Sequence, residues 1–105
     1  MVWVGVPDIR IPGPKVTETT IDGVVWDVHV NPRLSWGYVA FVAQQPRNEG
    51  WLDWNKFVEW TRFNGPAAGV RAINDSTCMG AIEIGTETFW GQGTFQLDEF
   101  RVVKE

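Results

Sequence analysis

Glu83, Glu87, a lone histidine and seven tryptophans are the residues of this chain whose types and spacing could do chemistry. In the stretch Met79 to Glu87, residues Ile82, Ile84 and Thr86 point one way while Glu83, Gly85 and Glu87 point the other, the period of a strand. Two carboxylates on one face could serve as proton donor and nucleophile at a glycosidic bond. Their i, i+4 spacing sets the Cα atoms ~13 Å apart at about 3.3 Å per residue. Retaining glycosidases hold their carboxyls about 5–5.5 Å apart and inverting ones about 6.5–9.5 Å, so a partner for either must come from another strand. No such partner stands out. By itself Glu83 reads as a solvated strand carboxylate or a hydrogen-bonded support. His29 reads as a surface histidine, and without a cluster of other ligand types there is no metal site. Cys78 is the single cysteine, which excludes an internal disulfide, and it reads as a buried thiol.

The tryptophans are Trp3, Trp26, Trp36, Trp51, Trp54, Trp60 and Trp90, more than so small a core needs for packing. Sugars present apolar C–H faces that stack on indole rings and hydroxyls that demand polar partners. Ionisable groups on a sheet beside aromatic rings therefore suit a carbohydrate, although each tryptophan taken singly reads as core.

The elements that must position these groups are mostly strands. Val24 to Val30 alternates, with Val24, Trp26, Val28 and Val30 on one face and Val25, Asp27 and His29 on the other. Asp22-Gly23 is a hairpin turn joining it to a strand around Lys15 to Ile21. Trp36 to Gln44 is apolar on both faces and suits a strand inside a two-layer stack. A loop follows at 45–50. Asp53 caps the one helical segment, on which Trp54, Phe57, Val58 and Thr61 share a face and which Gly65-Pro66 ends. Residues 67–77 read as loop, and strands resume at Cys78. The last strand, Thr94 to Val103, is expected to bury Phe95, Leu97, Phe100 and Val102 with a bulge near Asp98-Glu99. One short helix thus packs on a β domain, with no repeat, linker or second domain.

Composition narrows the partners. The chain has 105 residues, 44% hydrophobic and 21% charged, with a formal charge of -4 and no basic run. A phosphate-tracking surface for nucleic acid is not expected. No apolar stretch approaches the roughly 18 residues of a membrane span. The residues Met1-Val-Trp-Val-Gly-Val lack the basic region and long apolar core of a secretory signal peptide.

Taken together, Trp36-Gly37-Tyr38-Val39-Ala40-Phe41, the helix Trp54-Asn55-Lys56-Phe57-Val58 and Ile82-Glu83-Ile84-Gly85-Thr86-Glu87-Thr88-Phe89 resemble glycoside hydrolase family 12, in the family's order. The resemblance runs from Met1 to the C-terminus, whereas the family domain is longer and begins with strands that have no counterpart here. It implies an all-β, concanavalin-like β-jelly-roll sandwich with one short helix, here an incomplete domain comprising, over residues 1–105, the C-terminal part of a single catalytic domain. It implies retaining, endo-acting cleavage of β-1,4-glucan: cellulose, mixed-linkage glucan or xyloglucan. The family's acid/base lies in a G-T-E-x-F context, which matches Gly85-Thr86-Glu87-Thr88-Phe89, so Glu87 is the acid/base by resemblance and Phe89 the aromatic beside it. Thr88 stands where many members have proline. Met1-Val2-Trp3 looks like the end of the family's E-x-M-x-W nucleophile strand, whose glutamate would lie two positions upstream of Met1. On that basis the chain is expected to be a fragment, inactive alone. Met1 and Trp3 share the absent carboxylate's face, and with Phe89, Trp36, Trp90 and Glu83 they form the expected substrate-binding set. No cofactor and no obligate protein partner is expected, and a secreted parent protein fits the substrate. The rival reading is a non-catalytic carbohydrate-binding β-sandwich module.

Overall fold

The computed structural model describes residues 1–5, 11–85 and 93–104. Its regular elements are β1 (Val2–Trp3), β2 (Lys15–Ile21), β3 (Val24–Val30), β4 (Val39–Ala43), α1 (Trp54–Asn64) and a short 3-10 turn at Pro66–Ala68. The four strands form one sheet in the order β1-β4-β3-β2. β1 runs parallel to β4, and the other two pairings are antiparallel.

The hairpin between β2 and β3 forms where Asp22-Gly23 demands it. Both residues have positive φ, 51° and 74°, the geometry of a two-residue turn whose twist matches the flanking strands. β3 then alternates as expected, with Trp26, Val28 and Val30 buried and Asp27 and His29 half-buried between them. β4 is the most enclosed strand, with Ala40, Phe41, Val42 and Ala43 all buried. It is shorter than the expected Trp36 to Gln44. A chain of turns, Leu34 N–H to the Asn31 carbonyl and Gly37 N–H to the Leu34 carbonyl, occupies the approach, and Gly37 at φ 76° holds a left-handed bend before pairing starts.

α1 packs on one face of this sheet. Asp53 caps it by accepting a hydrogen bond from the Asn55 N–H at 3.1 Å. Phe57 is its buried residue, edge-on to Trp26 and Phe41 with both centroid separations 5.1 Å. Trp60 adds an edge contact to Phe41 at 5.2 Å. The expected face of Trp54, Phe57, Val58 and Thr61 is the one turned inward, each residue buried or half-buried, and half-buried Trp60 widens it. Lys56 ties the helix to the hairpin through an ion pair with Asp22. α1 ends where Gly65-Pro66 was expected to end it, at Asn64 with Gly65 as its C-cap. Gly65 stays helical at φ -56°, Pro66 opens the 3-10 turn, and Gly69 at φ 88° provides the left-handed stop. Gly65 is needed for closeness, because a Cβ there would collide with the Thr61 carbonyl oxygen.

The strands expected from Cys78 to Glu87 and from Thr94 to Val103 do not form among the described residues, which carry no strand after Ala43. Ile82, Ile84, Phe95, Leu97, Phe100 and Val102 are exposed, Ile84 and Phe95 each 51%. Alternation marks a segment as fit for a half-buried strand, but a strand exists only where a neighbour takes up its N–H and C=O groups. Among the described residues no such neighbour pairs with these segments, so the bulge near Asp98-Glu99 does not arise, and the face expected to be shared by Glu83 and Glu87 lies partly outside them. Cys78 is likewise exposed rather than buried.

Candidate functional site

The sheet has two unlike faces. Paired residues share a face, so the register Val28 with Phe41, Trp26 with Ala43 and Val2 with Phe41 defines the side that α1 covers. The opposite face carries Trp3 beside Val42, Asp27 beside Val42 and Glu18, and His29 beside Ala40 and Lys15. Met1 lies on this second face too, with the Tyr38 hydroxyl donating to its Sδ at 3.7 Å.

Polar groups cross this face in a row. The Lys15 ammonium pairs with Glu18 at 2.6 Å and with Asp27 at 2.9 Å, and Gln44 Nε2 donates to the same Asp27 Oδ1 at 2.7 Å. His29 Nδ1 lies 3.1 Å from the Gly13 carbonyl. A carbonyl can only accept, so Nδ1 carries a proton in this contact. Gly13 can approach this closely because it is a glycine at φ 89°, where a Cβ would strike the Val30 carbonyl. The Trp3 indole N–H is buried and takes no hydrogen-bond partner among the described residues. Donors, acceptors and an indole thus lie along one face, the arrangement that a hydroxyl-rich chain with apolar C–H faces requires.

Two titrations follow the row. Partial burial would raise the Asp27 pKa, but the hydrogen bonds from Gln44 and Lys15, with the Lys15 and His29 charges, outweigh it and hold the carboxyl below its ordinary value. The hydrogen bonds to Glu18 and Asp27 raise Lys15 above its ordinary value. A depressed carboxylate contributes stability that is present above its unfolded pKa and lost as pH falls through the folded one. A raised amine contributes stability that is present below its unfolded pKa and lost as pH rises through the folded one. The row therefore stabilises the sheet across neutral pH. The melting-temperature difference between the wild type and Asp27→Asn should be largest at neutral pH and shrink below about pH 4, which differential scanning calorimetry at several pH values checks.

The expected site residues divide. Met1 and Trp3 come together on the face opposite α1. Trp36 lies apart from them, 70% exposed, in a cleft with Val39, Thr61 and Val70 on the side that α1 covers. Glu83 is exposed and belongs to no strand. Glu87, Phe89 and Trp90 lie outside the described residues. The row through Lys15, Asp27 and Gln44 was not foreseen as a unit. Its one sequence signal was Asp27 and His29 alternating with the buried valines. Among the described residues no three His, Cys, Asp or Glu side chains gather as a metal site, and no helix is long and apolar enough to cross a membrane.

A sheet with one helix-covered face and one polar, aromatic face is compatible with a polysaccharide hydrolase, and comparison with known proteins gives the class. The model of glycosyl hydrolase family 12 matches residues 1–104, and the chain belongs to that family. Among individual relatives, it is 30% identical over 95 residues to the xyloglucan-specific endo-beta-1,4-glucanase A of Aspergillus niger, a match covering 87% of this chain and 37% of that enzyme. A probable xyloglucan-specific endo-beta-1,4-glucanase A of Aspergillus niger (strain ATCC MYA-4892 / CBS 513.88 / FGSC A1513) matches with the same identity and coverage. The chain thus spans little more than a third of the length of these curated relatives. No solved structure matches it.

Proposed function

We propose that this chain forms the acid/base-bearing part of an endo-acting glycoside hydrolase that cleaves β-1,4-glucan with retention. The observation that carries the reading is the family match over residues 1–104 together with Gly85-Thr86-Glu87-Thr88-Phe89, the family's acid/base context. Residues 1–105 are then the C-terminal part of one catalytic domain with a jelly-roll architecture, and the four-stranded sheet is one portion of it. The names of the two Aspergillus relatives favour xyloglucan over cellulose and mixed-linkage glucan as the substrate.

In this reading the nucleophile is a carboxylate on the strand that β1 continues, two positions before Met1, and Met1 and Trp3 flank the sugar it attacks. The carboxylate oxygen bonds to the anomeric carbon as the glycosidic bond breaks, and the Glu87 proton passes to the departing sugar oxygen. Water then adds to the same carbon, its proton goes to Glu87, and the ester to the nucleophile opens. Glu87 must begin protonated in this mechanism. The row Lys15, Asp27 and Gln44 offers donors and acceptors to sugar hydroxyls further along the same face.

The test is endo action by an enzyme that joins this chain to the family's nucleophile strand. Viscosity of a xyloglucan solution should fall early, before many reducing ends accumulate. Release of monosaccharide with viscosity maintained would contradict an endo mechanism, and no attack on any β-glucan would contradict the reading as a whole.

A further inference from the structure

Among the described residues, the cleft around Trp36 is a chemically equipped feature that the catalytic reading leaves unused. It encloses about 470 Å³ between the β3–β4 connection, α1 and residues 70–77, within the range of small-molecule sites. Val39 and Thr61 place it on the α1 side of the sheet, away from Met1 and Trp3. Its walls are held by the backbone. Val70 N–H donates to the Gly65 carbonyl at 2.8 Å, Gly37 N–H to the Leu34 carbonyl at 3.1 Å, and the bend at Gly37 sits against Arg71.

Two side chains in this cleft keep donors uncommitted among the described residues. Arg71 pairs with no carboxylate among the described residues, in contrast to Arg62, which is held by Asp75 at 2.7 Å. Asn74 spends its Oδ1 on the Ser76 N–H at 2.9 Å, which fixes the amide and leaves its NH2 as a donor. A guanidinium and an amide therefore offer N–H groups beside an indole that is 70% exposed. The remaining wall is mostly apolar, with Val39, Val70, Ala72 and Ile73 beside Thr61 and Thr77. A free anion would satisfy the donors and waste the apolar wall and the ring. A purely apolar ligand would leave the donors unpaired, at a cost. A sugar chain uses both, its C–H face on Trp36 and its hydroxyl oxygens on Arg71 and Asn74.

We propose that this cleft is a second, non-catalytic binding site for a β-glucan chain on the side of the sheet opposite Met1 and Trp3. The proposal rests on the glucan specificity above. Its purpose would be to hold a polymer strand while another is cut, so it acts on long chains and not on the chemical step.

Native affinity electrophoresis of this chain in gels containing xyloglucan or mixed-linkage β-glucan tests it. The wild type should be retarded, and Trp36→Ala should weaken the apparent affinity about tenfold or more through loss of the stacked ring. Arg71→Ala should weaken it as well, and Trp36→Tyr should recover part of the loss. Trp51→Ala removes an indole that is 67% exposed but outside the cleft, and should run as wild type. Unchanged melting temperatures for the Trp36 variants show that affinity, not folding, has moved. An unretarded wild type, a Trp36→Ala chain retarded as strongly as wild type, or an equal loss in Trp51→Ala would overturn the site. Failure here with Glu87-dependent hydrolysis intact removes the second site alone, whereas Trp36-dependent retardation without Glu87-dependent hydrolysis removes the catalytic reading alone.

Discussion

Glu87→Gln, in an active enzyme carrying this chain, should lower kcat on xyloglucan by about 10²–10⁴-fold or more, the range that general acid–base catalysis supplies. A glutamine keeps the shape and the hydrogen-bonding oxygen but has no proton to give, so the leaving sugar departs as an unprotonated alkoxide. The size of the effect should depend on the leaving group. An aryl glycoside whose phenolate is stable without a proton should lose far less in its first step, and the second step should then limit turnover because no base activates the water. Steady-state rates on both substrates, with KM determined alongside kcat, check this. Activity on xyloglucan close to wild type would remove Glu87 from the mechanism.

The largest effect on stability is expected at Phe57. It is the buried residue of α1, and its ring is the one that meets both Trp26 and Phe41 edge-on. Phe57→Ala removes those contacts and leaves a cavity that the sheet cannot close, because Trp26 and Phe41 are fixed by strand pairing on either side. Such truncations cost about 3–5 kcal/mol, set against a total domain stability of about 5–15 kcal/mol. The exposed pairs that remain, Lys56 with Asp22 and with Asp53, contribute little. Urea unfolding followed by tryptophan fluorescence and near-ultraviolet circular dichroism should show the midpoint fall sharply and the aromatic signal collapse. Phe63→Ala is the matched control. That ring is 74% exposed on the same helix, and its loss should change stability by only about 0.5 kcal/mol or less.

Much of this architecture was legible in the residues because it is local. Asp22-Gly23 can adopt the paired positive φ that a tight hairpin needs, so β2 and β3 and their register follow from it. Asp53 before a helical stripe announces a cap, and α1 begins at the next residue. Non-local features were not legible in the same way. The stretches 78–85 and 94–103 alternate, yet whether they pair depends on strands elsewhere, and among the described residues none pairs with them. Trp60 joins the core because of where the Phe41 ring lies, which no helical wheel reveals. Lys15 meets Asp27 only because a shift in register between Lys15 and Thr17 brings its ammonium across the strand.

The candidate site divides along the same line. Strand alternation was enough to set Met1 and Trp3 on one face, since the side-chain period of a strand is local. Trp36 was grouped with them on residue type alone, and its place on the α1 side follows from the turns between Asn31 and Gly37. Glu87 was assigned through the Gly-Thr-Glu context of the family, a signal that periodicity does not contain.

The stereochemistry of the first product tests the central claim most directly. An enzyme that joins this chain to its nucleophile strand is mixed with a xyloglucan oligosaccharide in D2O, and the anomeric proton of the new reducing end is followed by NMR before mutarotation. Double displacement with Glu87 as acid and then base predicts that the β anomer forms first and the α anomer grows in only at the rate of mutarotation. Initial formation of the α anomer would mean a single displacement by water, and would contradict both the retaining mechanism and the role given to Glu87.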